Sequence, residues 1–265
     1  MSDVPPPPPP PAPPPPPPPS PQPGGSPSGG PDIGGAISWA ISGFGKNAGV
    51  MIGLAAVVMA AGIVGWLLRS ALNPLVDRFV YNCDNVETAE QLNACLARGG
   101  AGLFATFLGG IVLQIVIFVI VILAEIGLIN ASLKLTRGEK PAFSDIWHPQ
   151  HGWLYFFVAL VTGVLIGIGF IFCIIPGLIL LWLWQFTRYA ALDRGQGFGD
   201  AFSTGTRAVL DNKGPAVLTL LVVFAASLIT VFTCGIGALV VYPFTDLFMA
   251  NMYRQFRKEP VVPVA

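Results

Sequence analysis

Apolar residues in this chain are grouped in long unbroken runs rather than in strict alternation or on one helical face. A helix needs about 20 such residues to cross a hydrocarbon core of about 30 Å. Six segments of that kind are bounded by charge or by turn residues: 48–68, closed by Arg69; a stretch from about 103 through IVLQIVIFVIVILAEIGLI to Lys134 and Arg137; 153–175; the run that follows Pro176-Gly177 to 192; 215–232; and 236–253. Pro176-Gly177 reads as the turn of a tight hairpin, and Thr233, Cys234 and Gly235 as the turn of a second. The expected fold is therefore all-α and membrane-embedded, with six transmembrane helices over 32–256, an extracytoplasmic loop at 73–100 and a short tail at 257–265. A soluble helical bundle is the alternative, but the segments have few polar faces.

Ahead of this domain, residues 1–31 contain two uninterrupted proline runs, 5–11 and 13–19, followed by Gly, Ser and further prolines. Proline fixes φ and offers no amide donor, so the tail is expected to be disordered overall. Its proline runs should form an extended rod of about 3.1 Å per residue. It suits either an aromatic-lined groove of a cytoplasmic partner or a plain spacer. No charged start, apolar core and cleavage site of a signal peptide precede the first span.

Composition agrees with this reading. The chain is 53% hydrophobic and 11% charged, against about 25% charged in a soluble domain. Its formal net charge is zero, so nothing favours nucleic acid as a partner. The placement of charge is more informative, because Lys and Arg are retained on the cytoplasmic side. Lys134, Arg137 and Lys140 fall between spans two and three, Arg194, Arg207 and Lys213 between four and five, and Arg254, Arg257 and Lys258 after span six. In the loop at 73–100, Asp77, Asp84, Glu87 and Glu90 outnumber Arg78 and Arg98. These positions predict a plasma (inner) membrane protein with both termini cytoplasmic.

The segment LTRGEKPAFSDIW (135–147) resembles LDRGQGFGDAF (192–202), and DIGGAISWAISGFGKNAGV (32–50) more faintly parallels GDAFSTGTRAVLDNKGPAV (199–217). Each lies just before an odd-numbered span, which predicts three repeats of a short interfacial helix plus two spans. PAFSDIW, CIIPGLILLWLWQF and LDRGQGFGDAFSTGTRAVL also resemble poorly characterised bacterial membrane families over about residues 100–250, among them the membrane domain of glycerophosphodiester phosphodiesterases. The tail is similar to those of actinobacterial proline- and glycine-rich membrane proteins. The resemblance implies a fold and a location, not a reaction. The phosphodiesterase chemistry itself needs a His-Arg-Gly start, and no His precedes Arg98-Gly99, Arg137-Gly138 or Arg194-Gly195.

Few residues are left to carry chemistry. His148 and His151 sit in WHPQHGW, which suits an interfacial aromatic belt better than a metal site. No nucleophile elbow, phosphate-cradling loop or His-Glu-x-x-His pattern is present, so neither an enzyme nor a cofactor is expected. All four cysteines fall on the predicted outer side. Cys83 and Cys95 are the favoured disulfide, Cys83 preceding a helix through VETAEQLNACLAR that Asn85 would cap and that folds back to bring Cys95 to it, while Cys173 and Cys234 are either a second pair or small apolar thiols. Glycines at 45, 49 and 53 and at 163 and 167 predict close helix packing within the chain, with a homo-oligomer through span one left open.

Ionisable side chains within spans are expensive, at least about 2.5 kcal/mol at the bilayer centre. Glu125, Arg188 and Asp246, joined by Gln185, form the candidate intramembrane polar site. They read either as a substrate or proton site or as a structural pair. The function expected first is that of a membrane scaffold or envelope-associated factor, in contact with lipids and recruiting a cytoplasmic protein through the tail. A small solute or lipid permease using the charged site is the alternative.

Overall fold

The computed structural model describes residues 30–80, 88–146, 151–194 and 197–264, and they form helices joined by short turns. The proline-rich segment 1–29, Cys83, His148 and the side chain of Cys95 lie outside the described residues, as does the expected Cys83–Cys95 bridge. Helix α1 (Ile33–Val80) begins where Asp32 accepts the amide of Gly35 at 2.9 Å. It is interrupted at Asn47, whose φ of −122° and ψ of 21° are not helical. There the Asn47 amide turns back to the Gly43 carbonyl at 3.0 Å.

Helix α2 (Ala89–Thr136) starts with a capping box, in which Thr88 Oγ1 accepts the Gln91 amide and Gln91 Oε1 accepts the Thr88 amide. The loop expected at 73–100 is thus largely helix, and its cap is Thr88, not Asn85. At 48 residues α2 is about 72 Å long, more than twice the thickness of a hydrocarbon core. It ends at Gly138, whose φ of +80° lets the amides of Gly138 and Glu139 close on Leu135 and Lys134.

After a 3-10 turn (Phe143–Ile146), α3 (Gly152–Phe172) and α4 (Ile174–Leu183) make a hairpin. The chain reverses at the single extended residue Cys173 (φ −170°, ψ 151°), three residues before the expected turn. Pro176 falls in the first turn of α4, where a missing amide costs no hydrogen bond. Gly169 and Gly177 let the two helices touch, since a Cβ on Gly169 would lie 3.0 Å from the Gly177 Cα. The fourth apolar segment is not one helix. It breaks after ten residues, turns through 184–186 and resumes as α5 (Thr187–Arg194).

Helix α6 (Phe198–Asp211) is amphipathic and buries Ala201, Gly205, Ala208 and Val209. At its end Asn212 leaves helical geometry and donates back to the Ala208 carbonyl at 2.9 Å, as Asn47 does in α1. Helix α7 (Lys213–Phe232) and α8 (Ala238–Phe256) form a second hairpin through 233–237. Helix α8 packs on α1, α2, α6 and α7. Its Leu247, Phe248, Ala250, Met252 and Tyr253 join Ile126 and Leu128 of α2, Val158 of α3 and Phe186 in the core.

Among the described residues, four helices are long and apolar enough to cross a membrane, namely Ile33–Ala71 of α1, Leu108–Thr136 of α2, α3 and α7. The protein has the helices of a membrane-embedded chain. The predicted glycine seams do not hold for the most part. A Cβ on Gly45, Gly49, Gly163 or Gly167 would meet nothing within 4 Å, while one on Gly53 would run into the Phe143 ring. Backbones approach instead at Gly169 with Gly177 and at Gly205 with Thr187.

Residues 257–264 do not hang free as a tail. They cross the ends of α1 and α2 as a strap: the Val262 amide donates to the Thr136 carbonyl at 3.0 Å. In return, the Val262 carbonyl accepts Trp39 Nε1 at 2.9 Å, and that of Val264 accepts Lys46 Nζ at 3.1 Å. Gln255 of α8 clasps the start of α1, accepting the Asp32 amide at 2.6 Å. The start of α1 and the ends of α2 and α8 therefore share one end of the bundle.

Candidate functional site

Four helices contribute to one polar cluster inside the apolar bundle. Glu125 lies on α2, eleven residues before its end, and Arg188 lies just after the break between α4 and α5. Arg188 Nη1 stands 3.5 Å from Glu125 Oε2, which also accepts the hydroxyl of Tyr155 from α3 at 2.9 Å. The Arg188 side chain is 39% exposed and that of Glu125 35%, so the described protein covers this pair only in part.

Asp246, on α8 three residues after Pro243, accepts the Tyr189 hydroxyl at 2.7 Å and lies close enough to Glu125 and Arg188 to feel their charges, without a direct bond to either. The three ionisable residues singled out in the sequence thus lie near one another, with Tyr155 bonded to Glu125 and Tyr189 to Asp246. Two carboxylates face one guanidinium, with phenol hydroxyls as neutral donors. This set can hold an anionic group on Arg188 or a cationic group between the carboxylates.

Gln185 does not join them. Its Nε2 donates to the carbonyls of Trp182 at 3.1 Å and Ala216 at 3.2 Å, tying the helix break to the start of α7. Around this break the buried atoms Trp182 Nε1, Gln185 Oε1 and Thr187 Oγ1 have no partner among the described residues. Buried polar atoms ordinarily find one, and interrupted helices at membrane depth are tolerated where they line a polar space.

A second charged cluster, absent from the sequence reading as a unit, closes the end of the bundle. Asp193 of α5 is 4% exposed and pairs with Arg137 beyond α2 and, at 3.1 Å, with Arg254 of α8. Glu259 of the strap takes Arg254 at 2.7 Å and Arg257 at 2.9 Å, and the Arg257 guanidinium also lies over the Tyr253 ring. Tyr155 and Tyr189 were likewise not singled out, because tyrosine within an apolar run carries no distinctive signal.

His151 is the residue before α3, in left-handed geometry with φ of 62°. Among the described residues no group of three His, Cys, Asp or Glu gathers as a metal site would require. Cys173 and Cys234 are exposed free thiols and do not pair.

Comparisons with known proteins find sequence relatives without an assigned role. Uncharacterised proteins of Mycobacterium bovis and of Mycobacterium tuberculosis are each 29% identical to this chain over 209 residues, covering 79% of it and 63% of their own length. The chain thus spans less than two thirds of these curated relatives. No protein-family model matches it, and no solved structure does.

Proposed function

We propose that this is a non-enzymatic inner-membrane protein that binds and moves a solute or lipid at the Glu125, Arg188 and Asp246 site. The observation that carries the reading is the convergence of these side chains, with Arg188 3.5 Å from Glu125 and both over a third exposed. A purely structural pair would be expected to sit closer and deeper, since desolvation makes a loose buried pair costly. The interrupted helix beside Arg188, with unpartnered polar atoms, adds support. So does the charge balance of two carboxylates to one guanidinium, which leaves room for a ligand.

The architecture that goes with this reading is six membrane segments in three repeats, with both termini cytoplasmic. It draws on the matching asparagine breaks at Asn47 and Asn212, each ending a short helix before an apolar one. It also draws on Lys46, Lys134, Arg137, Arg254, Arg257 and Lys258 gathering where α1 starts and where α2 and α8 end. Likeness to the phosphodiesterase membrane domains belongs to the same reading. The scaffold alternative rests on the proline-rich tail, and no described contact bears on it.

Native mass spectrometry of the detergent-purified full-length protein tests the proposal, with wild type set against Glu125→Gln and Arg188→Leu. A lipid or small-molecule adduct held by wild type and lost by both folded variants is expected. Wild type without an adduct, or an adduct unchanged in both variants, would overturn it.

A further inference from the structure

Both rear hairpins end in turns that carry no charge. No acidic or basic residue lies between His151 and Arg188, or between Lys213 and Asp246. The side chains at the turns are large, apolar and uncovered. Phe172 is 83% exposed and is flanked by Ile171, Ile174 and Ile175; Phe232 is 83% exposed and is followed by Ile236. A turn standing in water ordinarily shows polar residues there, and the sequence between α1 and α2, by contrast with these two, contains Asp84, Asn85 and Glu87.

The backbone of these turns is suited to a place without water. In the second hairpin the amides of Thr233, Cys234, Gly235, Ile236 and Ala238 donate to carbonyls of 229–235 at 2.9–3.1 Å. The remaining amide, of Gly237, donates to Thr233 Oγ1 at 2.9 Å, and that hydroxyl donates in turn to the Ile229 carbonyl at 2.8 Å. Gly235 makes the closure feasible with φ of +87°. In the first hairpin the Cys173 amide donates to the Gly169 carbonyl at 3.0 Å, and Pro176 removes one of the donors that a helix start leaves open. Satisfaction of the amides within the turn, which hydrocarbon demands, is complete at the second hairpin, whereas at the first α4 starts without a side-chain cap.

Length points the same way. Helix α3 has 21 residues and α7 has 20, about 30 Å each, and each starts beside an interfacial residue, Trp153 or Lys213. Both are used up in reaching the far boundary of a core of about 30 Å. Helix α2, at about 72 Å, passes well beyond it.

From these observations we infer that the turns at Cys173 and at 233–237 are embedded among the acyl chains of the far leaflet and do not emerge into water. The α1–α2 pair is then the part of the described chain that reaches the far aqueous side, and the two rear hairpins enter and leave by the basic face. The inference is independent of any ligand at Arg188.

The two native thiols report on it. In full-length protein with Cys83 and Cys95 changed to serine, Cys173 and Cys234 are exposed to a charged maleimide present on both sides of reconstituted liposomes. Glu90→Cys and Glu139→Cys in a chain without native cysteines mark the two aqueous faces, both positions being exposed. Cys173 and Cys234 should label at least about 10-fold more slowly than both controls, because a charged reagent must leave water to reach them, at a cost that is largest at the bilayer centre and smaller towards its boundary, and at the control rate once the protein is opened in SDS. Phe172→Cys and Ile236→Cys carry the same test at neighbouring positions, in case the turn geometry itself slows a thiol. Labelling of either turn within about 10-fold of the controls overturns the inference.

Discussion

Substituting Gly205 with alanine should loosen the protein at the contact that positions Arg188. Gly205 lies on the buried face of α6. A Cβ built there stands 2.7 Å from the Thr187 Cα and 2.8 Å from both its N and its Oγ1. Carbon atoms in contact prefer about 3.5–4.0 Å, so α6 and α5 must separate by roughly 1 Å. Neither side can yield by rotating a flexible side chain, because the atoms met are backbone and a buried hydroxyl. Overpacking of this kind costs about 1–3 kcal/mol, partly offset by the helix preference of Ala over Gly, about 0.5–1 kcal/mol.

The net expectation is a loss of about 1–2 kcal/mol. Gly199 supplies the control on the same helix, since a Cβ there meets nothing within 4 Å, and Gly199→Ala should be neutral or slightly stabilising. Thermal unfolding followed by tryptophan fluorescence in one detergent compares the two. If Gly205→Ala melts at or above Gly199→Ala, the close approach of α6 to Thr187 is not a feature of the folded protein.

Asp193→Asn removes the charge that balances Arg137 and Arg254 while keeping the shape of the side chain. Because Arg254 retains Glu259 and the Arg137 side chain is over a third exposed, the expected loss is about 2 kcal/mol, below the 3–5 of a fully buried pair; an unchanged melting curve would count against the cluster. Deleting residues 259–265 takes away the partners of Thr136, Trp39 and Lys46. It should shift Trp39 emission to the red and lower the melting temperature, and a truncated protein with native emission and stability would show that the strap is not docked.

The membrane character was legible because long apolar runs have few physical readings, and α1, α2, α3 and α7 fall where those runs lie. The charged residues stood out for a similar reason: an ionisable group in an apolar run is costly enough to be noticed. What they bond to was not legible. Tyr155 and Tyr189 are defined as partners only by packing of α3 on α2 and of α5 near α8. The break at 184–186 contains Trp, Gln and Phe, none of which interrupts a helix by its own preference, whereas Pro176 looked like a breaker and lies harmlessly in a first turn. Thr88 followed by Gln91 spelled out a capping box that fixes the start of α2, a signal present in the sequence and passed over in favour of Asn85. The strap has too little length or pattern to announce that its backbone is bonded across two helices.

The clasp between Asp32 and Gln255 gives the protein a mechanical path. Tension applied to the chain just ahead of Gly30 arrives first at Asp32, whose amide is held by Gln255 of α8. Trp39, about two turns further on, is held by the strap that leaves the same helix. Load on the amino-terminal side is thus shared with α8, the helix that carries Asp246, before it can be taken up by α1 alone. Whatever pulls on that end of the chain pulls on one wall of the polar site.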